Sequence, residues 1–236
     1  HNLYAFYGVQ ALDGSFKDKR RPDFRTTGQL NSLGFRYDHT NLLSYDNPSH
    51  ERNFRVYGDW YDRALGGDFD YVDWGATAAL TQPLGSYGTI GALQVLDGFS
   101  EPLGGSLVPN QGLYSLGGSL SIRGIGAEEE LGRNMFLVRA EIRHDLYPEL
   151  DLNLFDLLVM RRSQLRFFAD SGRVSNSAAK VYDVGGYAVG VGVGLAAVYD
   201  FMGFFPSVAY IEVATRVDDA KKASDVQFLF GTRQAF

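Results

Sequence analysis

Apolar and polar residues alternate with a period of two along most of this chain, in segments separated by turn or loop signals. Tyr187, Val189, Val191, Val193, Leu195, Ala197, Tyr199 and Phe201 form one apolar face. The face opposite is Ala188, Gly190, Gly192, Gly194, Ala196, Val198 and Asp200, which is small and ends polar. Phe136, Val138, Ala140, Ile142 and Leu146 likewise oppose Arg139, Glu141, Arg143 and Asp145, and Phe54, Val56, Gly58 and Trp60 oppose Arg55, Asp59 and Arg63. Val72, Trp74, Ala76, Ala78 and Leu80 repeat the pattern against Asp73, Gly75, Thr77 and Thr81. The spacing predicts about ten strands, near 2–12, 26–38, 53–65, 71–83, 88–99, 133–146, 162–174, 186–201, 206–216 and 226–236.

Long connections are expected at 13–25, 39–52, 100–132, 175–185 and 217–225, and short turns near Gly66–Asp70 and Leu84–Tyr87. The link from Tyr147 to Arg161 is longer and is expected to hold a periplasmic helical turn. Periodicity alone fits a soluble sandwich, with charges turned to water, as well as a membrane barrel, with charges turned to a lumen. Segment length separates the two: many runs reach the about 9–11 residues of a tilted membrane strand, above the about 5–6 of common globular sheets. Alternating long and short connections add the asymmetry of outer-membrane barrels. The expected fold is all-β: one transmembrane antiparallel β-barrel domain over 1–236, with a long lumen loop at about 100–132.

Composition changes this picture little. Aromatics make up 14% of 236 residues, and the 14 tyrosines suit girdles at two membrane interfaces. A 45% hydrophobic content would read as soluble, but a barrel shows lipid only alternate residues. The window Tyr187 to Phe205 is broken by Asp200 and by glycines, so it makes a poor membrane helix. Net charge is −6 with no basic patch, which argues against nucleic acid, and the absence of cysteine excludes disulfides and Cys-based zinc sites. The chain starts at His1 with no visible signal peptide, so a processed, trimmed or partial chain is expected.

Candidate chemistry is sparse. His39, His50 and His144 are too scattered for a metal cluster, and Asp59, Asp62, Asp70 and Asp73 lack a calcium-loop spacing. Gly190, Gly192 and Gly194 lack the third glycine spacing and the helix of a nucleotide fingerprint, so small lumen-facing residues are the better account. Ser32, Ser49 and Ser163 sit in no nucleophile elbow, and Ser49-His50 is the one adjacent Ser–His pair. No enzyme activity, cofactor or metal is expected.

The stretch Leu116-Gly117-Gly118-Ser119-Leu120-Ser121-Ile122-Arg123-Gly124-Ile125-Gly126 resembles the arginine-loop signature of the outer-membrane assembly and two-partner-secretion transporter superfamily, the BamA-like or bacterial surface antigen barrels. Three more segments match in order: Arg139-Ala140-Glu141-Ile142-Arg143, Phe168-Ala169-Asp170-Ser171-Gly172, and Gly190-Val191-Gly192-Val193-Gly194-Leu195. The resemblance implies that the loop folds into the lumen, where Arg123, followed by Gly124, pairs with Asp170 and Glu141 as a structural latch. An arginine fork suits carboxylates, and a buried one needs them. It also implies that Val226, Phe228, Phe230 and Phe236 share the outer face of an assembly signal, kinked near Gly231, and that the first and last strands part sideways toward lipid.

The family barrel has about sixteen strands, about eleven of them before the loop, whereas about five precede it here. The chain would then be the C-terminal part of such a barrel, or a smaller diverged one. The implied function is insertion or export of polypeptides across the outer membrane of a Gram-negative-type bacterium or derived organelle. The expected partners are outer-membrane lipid, periplasmic or outer-membrane proteins, and unfolded polypeptide as substrate. The alternative is a structural or pore-forming barrel component of a larger complex without insertase activity.

Overall fold

The computed structural model describes residues 1–12, 27–41, 50–85, 88–155, 157–201, 205–219 and 225–232, and the backbone alone at 201, 205 and 206. Five long strands come first: β1 (Asn2–Leu12), β2 (Gly28–Asn41), β3 (Arg52–Tyr61), β4 (Tyr71–Pro83) and β5 (Thr89–Pro102). A loop follows that carries two short strands, β6 (Tyr114–Leu116) and β7 (Glu130–Gly132). The wall resumes with β8 (Asn134–Tyr147), the short β9 (Leu152–Leu154), β10 (Leu158–Ser175), β11 (Ala188–Phe201), β12 (Phe205–Arg216) and β13 (Val226–Gly231). All pairings are antiparallel.

The sheet runs β1-β2-β3-β4-β5-β8-β10-β11-β12-β13, with β9 attached to β10, while β6 and β7 form a separate ribbon. Among the described residues ten strands follow one another along this path, five on each side of the loop, and β13 is the shortest of them at 6 residues. Among the described residues, β1 and β13 are unpaired edges. Several boundaries differ from expectation by a few residues, β2 running to Asn41 and β5 to Pro102, and two differences have a clear local cause. The link 147–161 holds no helical turn in its described residues; Leu152–Leu154 instead alternates and pairs with Leu158–Met160, drawing β10 out to Leu158. The third strand stops at Tyr61, because Asp62 caps a 3-10 turn over Arg63–Leu65 by accepting from the Ala64 amide, and Gly66 closes that turn at φ 93°.

Side chains are distributed inside out. Arg123, Arg139, Arg143, Arg166, Glu141, Asp170 and Glu212 are all buried. Leu3, Val9, Phe35, Leu93, Ile142, Phe167, Leu195, Ile211 and Phe228 are exposed, and Phe230 is 86% exposed. A water-soluble sheet would do the reverse, because an unpaired buried charge is costly and exposed apolar area is unfavourable in water. The apolar faces read from the sequence therefore face outward, as a lipid-facing wall requires.

The loop itself fills the concave side. Leu116, Ile122 and Ile125 pack with Met135, Leu137, Val174 and Ala188 of the wall, and Val108 packs with Leu12, Leu30, Phe69 and Tyr71. Outside, the β10–β11 connection folds over the wall. The Tyr182 hydroxyl donates to Asp97 at 2.7 Å, and burial together with that carboxylate pushes its pKa up to about 12. The Phe136 ring lies 5.5 Å from that of Tyr182, and the Phe99 ring 6.5 Å, an aromatic patch at one rim.

Candidate functional site: an arginine seat inside the wall

Strand register builds the seat. On the inward face, three rows cross β8, β10 and β11: Arg139–Asp170–Gly190, Glu141–Phe168–Gly192 and Arg143–Arg166–Gly194, the last continuing to Glu212 on β12. Each row sets a charged or aromatic residue beside a glycine, so room opens along β11. The loop tip enters that room. A Cβ at Gly190 would overlap the Arg123 carbonyl oxygen, and one at Gly192 would strike the Phe168 ring. Gly124, at φ 90°, lies so close to β12 that a Cβ would fall 2.6 Å from the Thr215 carbonyl carbon. Both the backbone angle and the close approach require glycine there.

Arg123 is 1% exposed and makes a bidentate pair with Asp170, Nε–Oδ2 at 2.7 Å and Nη2–Oδ1 at 2.9 Å. Its own amide also donates to Asp170 Oδ2 at 3.1 Å. Nη1 donates to Glu141 Oε2 at 2.9 Å and reaches both oxygens of Glu212 at 3.4 Å. The guanidinium lies over the Phe168 ring, 3.5 Å from its centroid, a cation–π contact strengthened by desolvation. Burial works against the charge, but the Asp170 bonds and the three carboxylates outweigh it and hold the guanidinium above its ordinary pKa. Arg123 thus stays charged wherever the protein is folded.

The carboxylates are shared with wall arginines. Arg143 Nε donates to Glu141 Oε1 at 2.8 Å, and Arg139 Nε lies 3.6 Å from Asp170. Arg143 and Arg166 face each other across the β8–β10 pair, an arrangement of like charges that costs energy by itself. Glu141 offsets this by bonding Arg143 and lying 3.9 Å from Arg166, and Glu212 on β12 lies 4.0 Å from Arg166 on its other side. Glu51, at the head of β3, adds a fourth buried carboxylate: burial pushes its pKa up and Arg143 pulls it back. A second cluster fixes the far arm of the loop, where Arg216 on β12 holds Glu129 at 3.0 Å, Glu130 at 3.6 Å and Asp218 at 2.8 Å.

The sequence-derived residues Arg123, Gly124, Glu141 and Asp170 meet at this one place. Glu212 and Phe168 complete it and were not assigned roles from sequence. The signal for Glu212 was a lone acid between Ile211 and Val213 on a face otherwise small or polar. At the chain end, Phe228 and Phe230 point outward from the edge strand β13, and Gly231 pairs with Tyr210. Phe236 lies outside the described residues, as does Ser49. His144 bonds Thr89 through Nδ1 at 2.8 Å, and no three His, Asp or Glu among the described residues group as metal ligands.

An antiparallel all-β wall with outward apolar rows and a charged loop seat inside defines an outer-membrane-type barrel fold. The chain is similar to the BamA of Haemophilus ducreyi, in a crystal structure lacking POTRA domains 1–3, with a TM-score of 0.64 and 18% identity. The match covers 87% of this chain and 43% of that one, so this chain spans less than half the length of its structural relative. That likeness carries the fold. No family model matches the chain, and no curated protein matches it.

Proposed function

We propose that this chain forms part of an outer-membrane barrel of the BamA-like insertase and translocase type, which assists insertion or export of polypeptides across the outer membrane of a Gram-negative-type bacterium. One observation carries the reading: a loop arginine seated inside the wall on Asp170 and Glu141, beneath a glycine-lined strand. Such a seat does no bond-breaking chemistry. It holds a plug in place, and Arg123, Gly124, Glu141 and Asp170 serve as its latch. Among the described residues β13 pairs only with β12, and an edge of that kind presents the backbone groups that an incoming strand needs.

Phe228 and Phe230 on β13 serve as the lipid-facing assembly signal. The partners are outer-membrane lipid, other assembly proteins and unfolded polypeptide. The test is reconstitution of the chain in phospholipid vesicles, followed by addition of an unfolded small barrel protein. The expected result is faster folding of that substrate, read as heat-modifiable gel mobility, than in empty vesicles. Equal rates would overturn the insertase reading and favour a structural or pore-forming barrel component.

A further inference from the structure

The arginine seat is not the loop's sole attachment. Tyr114, at the start of β6, reaches another sector of the wall, where its hydroxyl donates to Asp73 Oδ1 of β4 at 2.6 Å. Because that donation uses the one phenolic proton, the 2.8 Å contact between the Tyr57 and Tyr114 hydroxyls has Tyr57 of β3 as donor. Ser100 of β5 donates to the same Asp73 oxygen at 2.8 Å. The ring stacks over Gly98, where a Cβ would come within 2.6 Å of Tyr114 Cζ, so the wall is recessed to receive it. Burial and the Asp73 charge push the Tyr114 phenol well above its ordinary pKa, and it remains a donor.

Tyr114 and Arg123 belong to one braced unit. The ribbon pairs Tyr114 with Gly132 and Leu116 with Glu130. Above it the Gly118 amide donates to the Ile125 carbonyl at 2.9 Å, and Leu116, Ile122 and Ile125 are buried in one cluster. Gly117, at φ 111°, sits directly against the Gly126 carbonyl. A unit closed this way has little freedom to lift its tip while its stem stays put.

We infer that Tyr114 is a second, uncharged anchor of the lumen loop, holding the stem on Asp73 and Tyr57 while Arg123 holds the tip, so that stem and tip leave the wall together. This concerns how the loop is seated and stands whether or not the barrel moves polypeptides. It makes Tyr114 a positioning residue for Arg123, nine positions away and in contact with different strands.

The chain has no cysteine, which allows a clean test. Ser121, buried at the tip with an Oγ that makes no hydrogen bond, is replaced by Cys in the full chain folded in detergent, and its alkylation rate is measured. Ala196→Cys, buried on β11 in a separate cluster, reports global opening. Losing a buried hydrogen bond to a carboxylate should raise labelling at position 121 about tenfold in Tyr114→Phe, with no change at position 196. Asp73→Leu, which has a similar volume and no acceptor, should do the same. An unchanged rate at 121 would mean that the tip moves independently of the stem, and equal rises at both sites would mean general destabilisation; either result overturns the proposal.

Discussion

Replacing Arg123 with alanine is the sharpest probe of the seat. Asp170 would lose two charge-assisted bonds, at 2.7 and 2.9 Å, keeping the loop amide only while the loop stays docked and Arg139 at 3.6 Å. Glu141 would lose one bond at 2.9 Å but keep Arg143 at 2.8 Å. Breaking a buried ion pair by deleting one partner costs about 3–5 kcal/mol, because the remaining charge is left in a poor solvent. The surviving arginines place this case at the low end, about 3 kcal/mol, which is roughly a hundredfold shift toward the undocked loop. For a chain of this length about 1 kcal/mol moves the midpoint by about 2–4 °C, so a fall of about 6–12 °C is expected. The assay is gel mobility of unboiled protein across a temperature series. Adding Asp170→Asn to Arg123→Ala removes the orphaned charge and should recover part of the loss, the sign expected of a directly coupled pair. An unchanged midpoint in Arg123→Ala, or a double variant as low as the sum of the two singles, would refute the buried-charge reasoning.

Gly190→Ala tests the space rather than the charge: a Cβ there meets the Arg123 carbonyl, and overpacking of about 1–3 kcal/mol should lower the same midpoint while leaving every charge in place. Phe167→Arg tests which solvent the outer face meets. The side chain is 50% exposed, so in water the change would be nearly neutral, whereas at a bilayer midplane it should cost about 2–4 kcal/mol, read as a lost yield of heat-modifiable protein in vesicles. Asp218 supplies a pH test. Burial would raise its carboxyl, but the Arg216 bonds and the Val189 amide outweigh this and hold it below the ordinary carboxylate range. The stabilisation is therefore present above the unfolded value, about 3.9, and is lost as pH falls through the lower folded value. Protection of the Val189 amide, taken relative to its intrinsic exchange rate at each pH, should fall on acidification in the parent, while Asp218→Asn should already be poorly protected at pH 6.

Much of this architecture was legible in the residues. Alternation located the ten wall strands seen among the described residues, and the glycine-rich segment with a single arginine marked the loop. What failed was local: in the link 147–161, Leu152, Asn153 and Leu154 were too short a run to outweigh the turn reading, and only pairing with β10 makes them a strand. Glu212 stood out as a lone acid in its strand, but its partner could not be read. It lies 89 positions from Arg123, and nothing in its neighbours says which strand will stand opposite it.

By itself, then, the sequence determined the strand period, the order of long and short connections, the loop and the identity of the arginine that tips it, because each depends on residues within a few positions of one another. Tertiary structure decided the rest. Period two defines two faces but assigns neither to the inside; strand length and the resemblance pointed the charged face to the lumen, and in the folded sheet Arg139, Arg143, Arg166 and Glu141 are buried while Ile142 and Phe167 are exposed. Register then set Gly190, Gly192 and Gly194 beside Asp170, Phe168 and Arg166, and that alignment of distant strands is what turns scattered charges into a seat.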